Sequence, residues 1–297
     1  MGKALHDVFP SARATFERAD AALGYPLSKL CFEGPESELV LTANTQPAIL
    51  TTSIAALSAL REVLPELPAP AFAAGHSLGE YSALVAAGAL AFEDAVRLVR
   101  LRGQAMQNAV PEGRGAMAAI LGGDEAAVTS LCDEARQNEV LAPANFNAPG
   151  QIVIAGHASA VARARELAGS RKLKAIPLNV SAPFRCSLME PAARAVERAL
   201  ATVEIGPLAF PVVTNVEARP NLEARRVPEL LVRQVDGAVQ WDKSVQFLAA
   251  AGVTRALEIG PGKVLSGLVK KIDKSLRVHG VSDPDGVEKT REALTSA

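Results

Sequence analysis

Ser77 stands between two glycines in Gly75-His76-Ser77-Leu78-Gly79, the G-x-S-x-G spacing of a nucleophile elbow. A serine pressed into a sharp turn between a strand and a helix leaves no space for a Cβ at the flanking positions, hence glycine at both. The turn exposes the serine oxygen at a helix N-terminus, where developing negative charge is stabilised. The flanks match this context: Ala71 to Ala74 reads as a short buried strand, and Glu80 to Ala87 as a helix rich in Ala and Leu. The chemistry implied is acyl transfer through a serine ester, which needs a proton acceptor, oxyanion donors and usually an orienting group. In an Ala-rich chain the bare motif also arises by chance, so the remaining residues must supply the partners.

A second unusual charge lies at Arg102. In Phe92 to Val110 the apolar side is formed by Phe92, Val96, Val99 and Met106, and Arg102 falls on that same side. A guanidinium on an apolar stripe is costly if buried unpaired. Either it snorkels or pairs with a carboxylate, or it is an anion clamp facing the site beside Ser77. The proton acceptor is harder to find. The chain has four histidines, His6, His76, His157 and His279, and none lies in a loop after a late core strand, the usual place in α/β serine enzymes. His76 is part of the elbow turn, and adjacency to Ser77 does not make it the base.

The elements that must hold these residues suit an α/β protein. The 297 residues, 49% hydrophobic and 21% charged with a net charge of -1, can bury a full core and exclude a disordered chain. No basic tract with interleaved aromatics marks a nucleic-acid surface. No apolar run spans a membrane, and no secretory signal opens the chain. Three cysteines, Cys31, Cys132 and Cys186, lack metal-ligand spacing and scaffold density, so a cytoplasmic protein without metal is expected. A helix is expected around Phe16, then a polar connection over 34–46, then a helix from Pro47 to about Leu64.

Residues 112–180 read as a separate small unit of strand, helix, strand, strand, helix, strand, the split βαβ pattern of a ferredoxin-like insert that would wall one side of the cleft above Ser77. Asp124 is its expected helix N-cap, and Pro177 marks an edge strand. Residues 1–111 and 181–297 form the larger unit. There Ser187-Leu188-Met189-Glu190 reads as a capping box, with a helix to about Leu200. Short strands are expected at Pro211–Thr214 and Thr254–Ile259, and helices at Val227–Val235, Val239–Ala251 and Lys263–Ile272. Gly260-Pro261-Gly262-Lys263 lacks a phosphate-loop frame and reads as a turn. Residues 281–297 carry little pattern and are expected to fray.

Taken together, the chain resembles the malonyl-CoA:acyl-carrier-protein transacylases of fatty acid synthesis. The likeness runs through Thr45-Gln46-Pro47, Gly75 to Ser82, Arg102-Gly103, Met117-Ala118-Ala119 and Asn145 to Gln151 with Ile154-Ala155-Gly156. It continues in Val239-Gln240-Trp241 and Glu258 to Gly262. It implies an α/β-hydrolase-like large domain with an inserted ferredoxin-like small domain, and ping-pong malonyl transfer from malonyl-CoA to the phosphopantetheine thiol of acyl carrier protein. By resemblance Ser77 is the acylated nucleophile, Arg102 pairs with the free malonyl carboxylate, the Leu78 backbone N–H donates to the oxyanion, and the Gln240 backbone carbonyl orients the base. No cofactor or metal is implied, and a monomer is expected. Arg171, Lys172 and Lys174 are candidates for meeting the acidic carrier protein, or plain surface charges.

Two departures qualify the likeness. In Ala182-Pro183-Phe184-Arg185-Cys186-Ser187-Leu188-Met189, Arg185 occupies the family's histidine place. A guanidinium is not competent as a base, since it has no acceptor lone pair and stays protonated. The chain also begins at the Met-Gly that follows the family's opening strand and Gly-Gln-Gly-Ser-Gln loop. That loop carries the second oxyanion donor, so weaker transition-state stabilisation and an open edge in the core sheet are expected. A late start joined to one substitution and a degraded, non-catalytic copy that docks carrier protein both fit these facts. A serine thioesterase or esterase remains the other alternative, and Arg102 argues against it because a neutral acyl group has no use for a buried cation.

Overall fold

The computed structural model describes residues 1–180 and 182–295. Helices precede any strand: α1 (Lys3–Val8), α2 (Pro10–Leu23), α3 (Leu27–Glu33), α4 (Glu36–Leu39) and α5 (Thr42–Val63). Pro10 opens α2, where its missing N–H is not needed, and Ala12, Thr15, Phe16 and Ala19 form the buried stripe. The expected polar connection over 34–46 is a correction, because it holds α4 and the first turn of α5, so Pro47 lies inside that helix. The turn tolerates the lost backbone bond because side chains tie it down: Asn44 Nδ2 donates to the Glu38 carbonyl at 2.7 Å, and Thr45 Oγ1 donates to that of Leu39. Buried residues run almost continuously from Ala43 to Leu60, which makes α5 a core helix packed on α2 and α7 (Phe92–Asn108).

The elbow strand is β1 (Ala73–Ala74), shorter than the Ala71 to Ala74 run, and α6 (Leu78–Ala86) follows it. The next six elements are β2 (Gly115–Leu121), α8 (Glu125–Arg136), β3 (Leu141–Ala148), β4 (Gln151–His157), α9 (Ala158–Ser170) and β5 (Lys174–Pro177). They make an antiparallel sheet in the order β3-β4-β2-β5, the ferredoxin-like arrangement. Ile120 and Ile154 of the sheet pack with Leu131 of α8 and Ala164 of α9 in one apolar core. Asp124 caps α8, its carboxylate accepting from Ala127 N at 2.8 Å. Pro177 ends β5 at the sheet edge.

The remaining elements are α10 (Glu190–Leu200), β6 (Val212–Val213), β7 (Pro220–Asn221), α11 (Val227–Asp236), α12 (Trp241–Ala250), β8 (Arg255–Ile259), α13 (Val264–Ile272), β9 (Arg277–Val281) and α14 (Pro284–Thr295). β1 runs parallel to β6, which pairs antiparallel with β7, and β8 runs parallel to β9. Among the described residues β1 pairs only with β6 and β8 only with β9, so each keeps one unpaired edge. The architecture is α/β, and no described helix is long and apolar enough to cross a membrane.

Three further expectations are corrected. Ser187 does not cap α10: it lies in a 3-10 turn over Ser187–Met189, and α10 starts at Glu190 with Pro191 in its first turn. Val239 does not belong to α12. Its N–H donates to the Ala144 carbonyl at 2.9 Å and its carbonyl accepts from Phe146 N at 2.8 Å, stitching the small sheet to the larger unit. Finally, 281–295 does not fray. Burial of Val287 and Thr290 makes α14 an ordered helix packed on α5, and residues 296 and 297 lie outside the described residues.

Candidate active site

Ser77 sits between β1 and α6 with φ 55° and ψ -107°, a backbone conformation that a non-glycine residue holds only under constraint. The constraint comes from both sides. A Cβ on Gly75 would lie 2.0 Å from the Gly79 carbonyl carbon, so glycine at 75 is obligatory. A Cβ on Gly79 would meet nothing within 4 Å, so the expectation that both glycines make room holds for the first alone. Asn215, in the loop after β6, fastens the turn: its Oδ1 accepts from Ser77 N at 2.6 Å and its Nδ2 donates to the Gly75 carbonyl at 2.7 Å. Gln234 of α11 donates from Nε2 to the Ser77 carbonyl at 2.9 Å. Leu78, the first residue of α6, presents an N–H that the helix itself does not use.

Arg102 reaches this turn from α7. It is 1% exposed, which rules out snorkelling, and among the described residues it pairs with no carboxylate. Its Nη1 donates to Gln46 Oε1 at 2.5 Å, and its Nη2 donates to Gln234 Oε1 at 3.0 Å and to Ser77 Oγ at 3.5 Å. Its Nε is buried without a partner, and the guanidinium lies 5.3 Å over the Tyr81 ring. Gly103 permits the approach of the two helices, since a Cβ there would lie 2.6 Å from the Thr42 carbonyl.

Arg185 is also buried and also touches the serine. Its φ of 68° turns the chain inward, and its Nη2 donates to Ser77 Oγ. Its Nη1 donates to the Gln234 carbonyl, and to Gln234 Oε1 at 3.4 Å. Burial, helped by the like charge of Arg102, pulls its pKa down to about 9, which still leaves it cationic at neutral pH. Gln240 stands apart from this cluster. Its carbonyl accepts from Ser244 N at 2.9 Å and Ser244 Oγ at 2.8 Å, while Arg185 finds the carbonyl of Gln234 instead.

No histidine faces Ser77 Oγ. His76 turns toward the small sheet, its Nε2 donating to Asn147 Oδ1 at 2.8 Å and its ring 5.7 Å from Trp241. Burial lowers its pKa to about 4. Glu80, beneath the elbow, accepts from Gln234 Nε2 at 2.7 Å and from Asn215 N at 3.1 Å. Burial pushes its carboxyl up to about 7 despite the two nearby guanidinium groups.

Asn215 and Gln234 were not picked out by spacing. Gln234 carried a readable signal, as a neutral amide on the apolar side of α11 with Val227, Leu230 and Leu231. Asn215 follows a two-residue strand, and only the fold brings it to the elbow. The described residues contain no group of three His, Cys, Asp or Glu side chains placed to hold a metal.

Comparison with known proteins gives the family. The model of the acyl transferase domain matches residues 1–290. The malonyl CoA-acyl carrier protein transacylase of Bacillus subtilis (strain 168) is 49% identical over 298 residues, covering 99% of this chain and 92% of that protein. The crystal structure of the acyl-carrier-protein-S-malonyltransferase from Bartonella henselae superposes with a TM-score of 0.96 at 42% identity, covering 99% of this chain and 95% of that one. A malonyl-transacylase solved in complex with its type II PKS acyl-carrier protein superposes with a TM-score of 0.94 at 43% identity, covering 100% of this chain and 95% of its own. With a family model matched over nearly the whole chain and a relative close to half identical along its length, the chain belongs to the acyl transferase domain family, among the malonyl CoA-acyl carrier protein transacylases.

Proposed function

We propose that this chain transfers a malonyl group from malonyl-CoA to the phosphopantetheine thiol of acyl carrier protein through a malonyl ester on Ser77, and that Arg185 makes the transfer slow. The observation that carries the reading is the Ser77 hydroxyl at the head of α6 with the buried Arg102 guanidinium beside it. Arg102 holds the free carboxylate of the malonyl group, and Gln46 and Gln234 hold Arg102. Ser77 Oγ bonds to the thioester carbonyl carbon, the Leu78 N–H donates to the oxyanion, and the carbon–sulfur bond breaks as coenzyme A leaves with the proton. The carrier thiol then reverses these steps and releases Ser77.

The step that suffers is proton removal from Ser77. A neutral imidazole at 185 would accept that proton, whereas the guanidinium can only donate. Loss of a positioned base costs roughly 10²- to 10⁴-fold. The Gln240 carbonyl, bonded to Ser244, has no imidazole to orient. The small unit over 112–180 walls one side of the cleft. The reaction needs no cofactor beyond the thioester itself, and a cytoplasmic enzyme accords with three free thiols.

The reading is tested by incubating the chain with carrier protein and either malonyl-CoA or acetyl-CoA and following mass gain on the Ser77 peptide and on the carrier. Malonyl should appear on both, disappear from both in Ser77→Ala, and give way to acetyl acceptance in Arg102→Ala. Transfer that persists without Ser77, or a preference of the unmodified chain for neutral acyl groups, overturns it. The place of Arg185 also favours a second reading, a non-catalytic homologue, which would bind carrier protein without ever acylating Ser77.

A further inference from the structure

Two cations converge on Ser77 Oγ, where holding one malonyl carboxylate requires only one. Arg102 arrives from α7 and Arg185 from the segment before α10, and both are buried. Among the described residues every hydrogen-bond partner they have is neutral: Gln46 Oε1, Gln234 Oε1, the Gln234 carbonyl and Ser77 Oγ. The Nε of Arg102 is buried and has none.

Counter-charge is scarce around the pair. Glu80 is the carboxylate packed beneath both, and its oxygen is already taken by Asn215 and Gln234. With its pKa at about 7 it carries only part of a charge at neutral pH. Asp236 acts on Arg185 across a cavity of about 400 Å³ that the two line together with Glu139 and Arg136, and whose lining does not include Ser77. Positive charge therefore outweighs negative charge on the Ser77 side. Buried guanidinium groups without a counter-ion are costly, and their mutual repulsion adds to that cost. Ser77 itself is half-buried, so the site is open to a solute.

We propose that Arg102 and Arg185 together form a binding site for a free short dicarboxylate of malonate length, one carboxylate on each guanidinium, held without covalent bonding and in competition with the thioester. Carboxylates match the planar guanidinium fork, and two of them one carbon apart suit two forks that meet at a single oxygen. The proposal deepens the reading of Ser77 and Arg102 as the malonyl site and adds Arg185 as a second anion ligand. It makes free malonate an inhibitor of this chain.

Titration calorimetry on the full, unmodified chain tests it, with malonate, malonamate and inorganic phosphate as probes. Malonamate keeps the shape and removes one charge, so the comparison needs no variant. Malonate should bind at least about tenfold tighter than malonamate, the size of one charge-assisted contact, and tighter than phosphate. Arg185→His at pH 8 should bring malonate down to the level of malonamate. Equal affinities for malonate and malonamate, phosphate binding as tightly as malonate, no binding of malonate, or an Arg185→His protein that holds malonate as well as before would each overturn the proposal. Malonyl transfer is assayed separately: transfer without tight malonate binding removes this inference alone, and tight malonate binding without Ser77 acylation removes the transferase reading alone.

Discussion

Two titratable side chains of the elbow segment, Glu80 and His76, are held away from their ordinary pKa by burial, and in opposite directions. Glu80 is raised from 4.5 to about 7, and His76 is lowered from 6.5 to about 4. Between pH 4.5 and 7 the unfolded chain has released a proton that folded Glu80 keeps, so stability falls as pH rises through that window, by on the order of 3 kcal/mol in all. Between pH 6.5 and 4 the unfolded chain gains a proton that folded His76 refuses, so stability falls as pH drops, by a similar amount. The two slopes oppose each other between pH 4.5 and 6.5. Glu80→Gln removes the first and leaves the second. Urea unfolding should then show its stability climbing from pH 4.5 to 6.5 by about 2–3 kcal/mol more than that of the unmodified chain. Parallel pH profiles for the two proteins would refute this account of Glu80.

The elbow shows how one turn depends on remote elements. Gly75 and Gly79 look equivalent in the motif, yet a Cβ at 75 collides with backbone at 2.0 Å and one at 79 meets nothing. Gly75→Ala should therefore destabilise the fold by about 3 kcal/mol and abolish acylation of Ser77, while Gly79→Ala, placed in the first turn of α6, should be neutral or stabilise by up to about 1 kcal/mol. Thermal unfolding of the two variants distinguishes them, and equal losses would contradict the steric argument. The strand, the serine and the helix of this elbow were legible in the sequence because they are contiguous and the turn needs glycine. Its fasteners were not, because Asn215 and Gln234 stand 138 and 157 residues away from Ser77 and are joined to it only by the fold. The small sheet was legible almost throughout, since short apolar runs such as Ile152-Val153-Ile154 mark its strands and Asp124 announces α8. Ser187 misled because a cap's composition also occurs in a 3-10 turn, and Pro191, which fits the first turn of a helix as Pro10 does in α2, is the local signal that sets the start of α10.

At the scale of the molecule, the segment read as a fraying tail closes the core instead. α14 buries only Val287 and Thr290, too few for a periodic signal, but it lies on α5, the helix buried nearly all round. Val287→Ala should cost about 2 kcal/mol, measured by urea unfolding, and a loss within about 0.5 kcal/mol would return the segment to the surface. The proposed site draws on the whole assembly, since Ser77, Arg102 and Arg185 come from three separate parts of the chain and Gln234 links them. The proposed slow transfer turns on Arg185, a cation that donates to Ser77 Oγ where a proton acceptor would serve. Single-turnover malonylation of Ser77 by malonyl-CoA, timed by quenched flow and intact mass, compares the unmodified chain with Arg185→His. The account predicts a rate at least about 10²-fold higher in Arg185→His. Equal rates, or a faster unmodified chain, would contradict it.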